Sequence, residues 1–313
     1  ENPSATMWCL HATIALVSFL PLPPGTQQRA HSPSAVRRAT LPRALGAGQL
    51  PASPKEVATE ISVAVGAALQ DGRRRLCIVT PDELAFGMFG KPMGKQVLGN
   101  PDVKAPASLL ARNERELAYL VVEMFQQYAE SCVVVLSDSK WVKAAERDWK
   151  NASIRPGRIV GSIKELLKPA GFGQKTKAGK PKVVIVSQPG TAALGELEPY
   201  AEELGSAAVV VLLNPRKEPE GYFTAFTLQD NPHPDWAGGL LFQAHPGLWV
   251  LGAAGNSGAV KVHGTSNRRP TLDEIDAGFE KVSGDTNWFS GGGAAAALRR
   301  RSGAPSEEAA TLS

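Results

Sequence analysis

The sequence predicts an α/β fold: a mostly parallel sheet with flanking helices, followed by a C-terminal antiparallel strand meander and a capping helix. Two observations predict the parallel part. Short uninterrupted runs of β-branched and aliphatic residues recur at 76–79, 133–136, 183–186 and 208–213, and strands that apolar are buried on both faces. Segments with apolar residues at helical spacing alternate with them, the layout of βα units. A third observation predicts the meander. Beyond residue 222 the apolar runs are short, close together and separated by Gly, Pro and Asn, which reads as antiparallel hairpins.

Taken in order, Ser53-Pro54-Lys55-Glu56 is a helix start. Ser stands at the N-cap, Pro at the first position and Glu three residues after the cap. Val57, Ile61, Val65, Ala68 and Leu69 line one face, and Gly72 ends the helix. The first strand, 76–79, closes on Thr80-Pro81-Asp82. A loop rich in Gly and Pro covers 87–107. Leu109, Leu110, Leu117, Leu120, Val121, Met124, Phe125 and Tyr128 then mark a long amphipathic helix. The second strand ends at Ser137-Asp138, and Trp141, Val142, Ala145 and Trp149 predict a helix after it, followed by a strand at 158–160. The strand at 183–186 ends at Ser187-Gln188-Pro189-Gly190. Leu194, Leu197, Ala201 and Leu204 form a helix closed by Gly205, and the strand at 208–213 ends at Asn214-Pro215-Arg216. The meander strands are expected at 223–228, 239–242, 248–251 and 260–263. Thr271 and Glu274 make a capping box for a last helix whose face holds Leu272, Ile275, Phe279 and Val282.

The domain so defined covers 51–283. After Glu1 no acidic residue appears until Glu56, and the run from Trp8 to Leu20 is mostly apolar. It is shorter than the roughly 20 residues a bilayer crossing takes, but fits the core of a signal peptide. Residues 26–50 add Arg29, Arg37, Arg38 and Arg43 among Ser, Thr and Ala, the composition of an organelle transit peptide. The segment 1–50 therefore reads as a bipartite plastid-targeting leader. The competing reading is a plain secretory signal with a disordered linker, against which stands the lack of a disulfide framework. Residues 284–313, with Gly291-Gly292-Gly293, an alanine run and Arg299 to Arg301, read as a flexible C-terminal tail.

The formal charge of +4 comes from the ends, because 51–283 holds 27 basic and 26 acidic residues. So balanced a domain gives no electrostatic footprint for nucleic acid. Cys77 and Cys132 lie in or beside strand runs and read as buried free thiols, with a redox pair as the alternative. Gly87 to Lys95 resembles a phosphate loop but puts Gln96 where a hydroxyl is needed, and Gly171-Phe172-Gly173 has no strand feeding it. His233, His245 and His263 are too widely spaced for a metal site, and no Ser sits in a nucleophile elbow. The expectation is no metal and no cofactor. Lys175, Lys177, Lys180 and Lys182, in a stretch without acids, are a candidate patch for a protein partner or lipid head groups; the alternative is a solvated loop. The polar strand ends supply the candidate ligand crevice: Asp82, Asp138, Gln188, Asn214 and Arg216 all follow expected parallel strands. In such sheets ligands bind beyond the carboxyl ends of the strands.

Several short motifs resemble the plastid and cyanobacterial family known as domain of unknown function nineteen ninety-five. They are Pro51-x-x-Pro54-x-Glu56-Val57 leading to Asp71-Gly72 and the strand at Leu76, Asn214-Pro215, Trp249-Val250-Leu251, and Arg269-Pro270-Thr271-x-x-Glu274-Ile275. The family has no established catalytic residues. Members include a stromal factor needed for photosystem II accumulation, and in other plant proteins the domain is fused to an adenylate kinase, whose phosphate loop this chain lacks. The resemblance implies a plastid auxiliary protein. The functional expectation is a non-enzymatic accessory or assembly factor. It would bind a photosystem or other thylakoid complex from the stroma as a peripheral protein, without nucleic acid. Two alternatives stay open: a small-molecule or nucleotide-binding enzyme using the strand-end crevice, and a stable structural subunit anchored through Trp288 and Phe289.

Overall fold

The computed structural model describes residues 49–51, 53–89, 107–168, 180–232, 239–254 and 260–283. The tail, nearly all of the leader, the glycine loops at 90–95 and 171–173, Lys175, Lys177 and His233 lie outside the described residues. The elements, in chain order, are α1 (Pro54–Gln70), β1 (Arg75–Val79), α2 (Ala107–Met124), β2 (Cys132–Val135), α3 (Ser139–Asp148), β3 (Arg158–Val160), α4 (Ile163–Leu167), β4 (Val183–Ser187), α5 (Thr191–Leu204), β5 (Val209–Leu213), β6 (Phe223–Asp230), β7 (Gly239–Ala244), β8 (Trp249–Ala254), β9 (Val260–Ser266) and α6 (Leu272–Ser283). None of the described helices is long and apolar enough to cross a membrane.

The local chemistry explains the boundaries. Ser53 Oγ accepts from the Glu56 amide at the start of α1. Gly72 takes φ +78° just past its end, and the Arg73 amide reaches back to the Ala68 carbonyl. This is the left-handed turn that glycine supplies most cheaply. At α6 the Thr271 amide donates to Glu274 Oε2 at 2.8 Å while the Glu274 amide donates to Thr271 Oγ1 at 3.3 Å, the reciprocal box the sequence predicts. Helix α4 is an addition to the sequence reading. It is five residues long and capped by Ser162, whose Oγ accepts from the Glu165 amide.

The strands form one nine-stranded sheet in the order β3-β2-β4-β5-β1-β6-β7-β8-β9. All neighbours from β3 to β6 are parallel, and those from β6 to β9 antiparallel. The meander is therefore not a separate layer. β6 pairs with β1 through one edge and with β7 through the other, welding the two halves. Helices α1, α2 and α3 cover one face through Ile61, Val65, Val121 and Ala145, joined by Phe125 and Trp149 just past the ends of α2 and α3. Helices α4 and α5 cover the other through Ile163, Leu166, Leu197 and Leu204, and Ile275 of α6 packs on Leu241 and Leu251. Leu50, the last residue of the segment read as a leader, is in contact with the folded part. It packs against the core and stands where a β-carbon on Gly252 of β8 would be.

Cys77 and Cys132 are buried and free. Their strands β1 and β2 are separated by β5 and β4, about 14 Å at the usual strand spacing. No disulfide spans that distance, so the redox-pair alternative falls. Burial pushes both thiols up to about 12.

Candidate functional site

Asn214 is the keystone of the carboxyl edge of the sheet. It follows β5 with φ +47°, a left-handed conformation that Asn tolerates better than most residues. Its amide donates to the Ile78 carbonyl of β1. Its Oδ1 accepts from the Thr80 amide at 2.7 Å, and its Nδ2 donates to Asp82 Oδ1 at 3.2 Å. Gln188, after β4, has φ +46° and donates its amide to the Leu213 carbonyl at 2.7 Å; Asn231, after β6, has φ +47°. Among the described residues every non-glycine with positive φ stands at this one edge. Such conformations persist only where the surrounding structure enforces them, and they gather at functional sites.

Helix α2 closes the edge from above. It carries four successive polar residues, Asn113, Glu114, Arg115 and Glu116, and all are buried. At about 100° per residue they point around most of the helix, so each meets a different neighbour. Asn113 Nδ2 donates to the Asp82 carbonyl at 2.9 Å. Glu114 accepts from the Ser137 amide at 2.7 Å and the Ser137 hydroxyl at 2.6 Å, beyond β2. Arg115 binds Asp148 of α3 at 2.9 Å. Glu116 accepts from the amides of Gly87 and Phe89, folding the β1 loop onto the helix, and from Arg112.

Between these elements lies a shallow crevice with room for little more than one water-sized group. It is lined by Thr80, Asp82 and Leu84 of the β1 end, Asn113, Glu114 and Leu117 of α2, Ser187 and Gln188 of the β4 end, and Leu213 and Asn214 of the β5 end. Asp82, Gln188 and Asn214 therefore converge, because β4, β5 and β1 are adjacent. Asp138 does not join them: its side chain accepts from the Lys140 amide as the N-cap of α3. Arg216 stands outside as well, an exposed residue whose backbone amide binds the Pro189 carbonyl. Of the lysine patch, Lys180 pairs with Glu203 at 2.8 Å, and Lys182 lies 5.1 Å from the centre of the Tyr128 ring.

The crevice is acidic. Burial is the main cause that raises the Glu114 carboxyl above its ordinary range, Asp82 adds to it, and the bonds from Ser137 oppose it. Asp230, at the end of β6, is likewise raised by burial first, with Asp82 contributing. Two buried polar atoms facing this edge have no hydrogen-bond partner: Ser187 Oγ and Asn113 Oδ1, on residues each only 3% exposed. Ser187 lacks the hydrogen-bonded base that activates a hydroxyl nucleophile. Sequence reasoning missed Asn113, Glu114 and Ser187. The available signal was the polar run 113–116, which no helix with one solvated face can hold entirely in water.

No curated protein and no solved structure matches the chain. A family match does exist, over residues 51–229, more than half of the sequence and all of β1 to β5, and it ends within β6 before the Trp249 and Arg269 motifs. The chain therefore belongs to the family described as Domain of unknown function (DUF1995).

Proposed function

We propose that this protein is a non-enzymatic plastid accessory or assembly factor that binds a photosystem or another thylakoid complex from the stromal side, as a peripheral protein. The observation that carries the proposal is the family membership over 51–229, joined to the family's stromal photosystem II factor named in the sequence reading. The acid-free, arginine-bearing segment before Glu56 supports the same address. The charged groups of α2 add support of another kind. Glu114, Arg115 and Glu116 are all engaged in tying loops and helices together, which suits a rigid binding scaffold. The test is mass spectrometry across a native gel of detergent-solubilised thylakoids from cells making the full chain. Co-migration with a photosystem or an assembly intermediate is the expected result. Migration only as a free monomer overturns the proposal.

A second reading, a small-molecule enzyme at the crevice, is favoured by the strained Gln188 and Asn214 backbones. Its nucleotide version is disfavoured by the lining, which holds carboxylates and no Lys, Arg or His. Substrate turnover lost in Asp82→Asn while the fold is retained would move the weight to this reading.

A further inference from the structure

Helix α3, between β2 and the edge strand β3, turns a row of cations to solvent. Its inner side is set by Trp141, Ala145 and Trp149, which pack on the main core. At about 100° per residue, Lys140, Lys143 and Arg147 fall within about 60° of one another on the opposite side, and Lys150 follows just past the C-cap. All four are exposed, the Lys140 side chain to 80% and that of Arg147 to 76%. Arg155 donates to the Lys150 carbonyl, which brings a fifth cation beside the row.

These charges do nothing for the packing of the helix. Among the described residues the side chains of Lys143 and Lys150 have no ion-pair partner. Lys140 reaches only Asp138, the cap of its own helix, at 3.8 Å, and Arg147 only the adjacent Asp148 at 3.3 Å. Arg115 is the contrast, a buried cation that ties α2 to α3 through Asp148 at 2.9 Å. With Asp148 so compensated, the five cations in 138–155 stand against two carboxylates, Asp138 and Glu146. The domain as a whole is balanced at 27 basic and 26 acidic residues, so positive charge is concentrated on this face.

The residue types select the partner. Arginine presents a planar fork that suits recognition of one carboxylate in fixed geometry, whereas lysine is a compact charge on a flexible stem. Three of the four residues in the row are Lys, which suits a diffuse layer of anionic head groups, a surface that attracts clustered Lys and Arg within a Debye length. We propose that the exposed face of α3, through Lys140, Lys143, Arg147 and Lys150, docks this protein on an anionic lipid surface. The inference deepens the peripheral placement proposed above and rests on it for which membrane is met. Vesicle binding and co-migration with a thylakoid complex are separate readouts, so either can fail without the other.

Acetylation of surface lysines in the full chain, read residue by residue by mass spectrometry, tests it. The probes are vesicles of phosphatidylcholine with and without phosphatidylglycerol, neither of which carries an amine. At low salt, phosphatidylglycerol vesicles should protect Lys140, Lys143 and Lys150, while Lys217, exposed in the loop after β5, stays reactive. Protection should vanish in about 1 M salt, where the Debye length falls to about 3 Å. The double variant Lys143→Glu, Lys150→Glu breaks no ion pair among the described residues, so it should melt with the parent, yet its Lys140 should lose protection. The proposal is overturned if Lys143 and Lys150 react equally with and without phosphatidylglycerol, if pure phosphatidylcholine protects them as well, or if Lys140 stays protected in the double variant. Protection by polyglutamate but not by vesicles also overturns it, and assigns the row to an acidic protein.

Discussion

Asn214 shows how much one side chain can fix. Its left-handed backbone and its bonds to Thr80 and Asp82 hold the β1 and β5 ends in register. Asn214→Ala should destabilise the protein by about 2 to 3 kcal/mol, combining backbone strain with a Thr80 amide left unsatisfied. Asn214→Gly should recover the backbone share only, and urea melts of the two variants would separate the terms. Glu114 makes a prediction about pH. Its carboxyl is raised above 4.5 in the fold, so the folded chain keeps this proton to a higher pH than the unfolded chain. Its contribution to stability is full below 4.5 and is lost as pH rises through the raised value. Glu123 and Asp230, also raised chiefly by burial, act in the same sense. Glu114→Gln keeps a neutral hydrogen-bonding group at every pH. Its stability should therefore fall less than the parent's between acid and neutral conditions, and parallel curves in urea melts would refute the assignment.

At the scale of elements, hydrophobic periodicity made most helices and strands legible, but not what the polar positions do. The face of α2 marked by Leu117, Leu120 and Val121 was readable. Its second surface was signalled only by the polar run 113–116, and which loop each of those residues binds was not readable until the loops are placed. Helix α4 escaped for a different reason: five residues cannot display a period. The short β3 carries a signal of its own in the glycines flanking it. A β-carbon on Gly157 would stand 2.1 Å from the Glu130 carbonyl oxygen, and one on Gly161 would stand 2.3 Å from Ser139 Cα. Both contacts are with backbone, which cannot swing aside. Gly161→Ala should lower stability by about 3 kcal/mol, at the upper end of overpacking costs, as thermal or urea unfolding would show.

For the molecule as a whole, the parallel and antiparallel halves were readable but the strand order was not, since an apolar run does not name its neighbours. Order decided the crevice. β4, β5 and β1 lie side by side and bring Gln188, Asn214 and Asp82 together, whereas Asp138 after β2 serves its own helix. Order also bears on the family boundary at 229. Phe226 of β6 packs on Phe242 of β7 with ring centres 5.8 Å apart, and both belong to the main core. A fragment ending at residue 229 should lose cooperative unfolding and bind a hydrophobic dye, while one ending at 283 should not. A sharp transition at the parent's midpoint would show that the meander is dispensable. The place of β1 has a consequence in time. It is the first strand to leave the ribosome, yet its neighbours on either side are β5 and β6, more than a hundred residues later in synthesis. Until those residues emerge, Leu76 and Ile78 have no strand to pair with. The oldest strand can pair only after β5 and β6 have emerged, so folding is slow to commit, and for well over a hundred residues of synthesis this chain carries an apolar strand without its sheet partners.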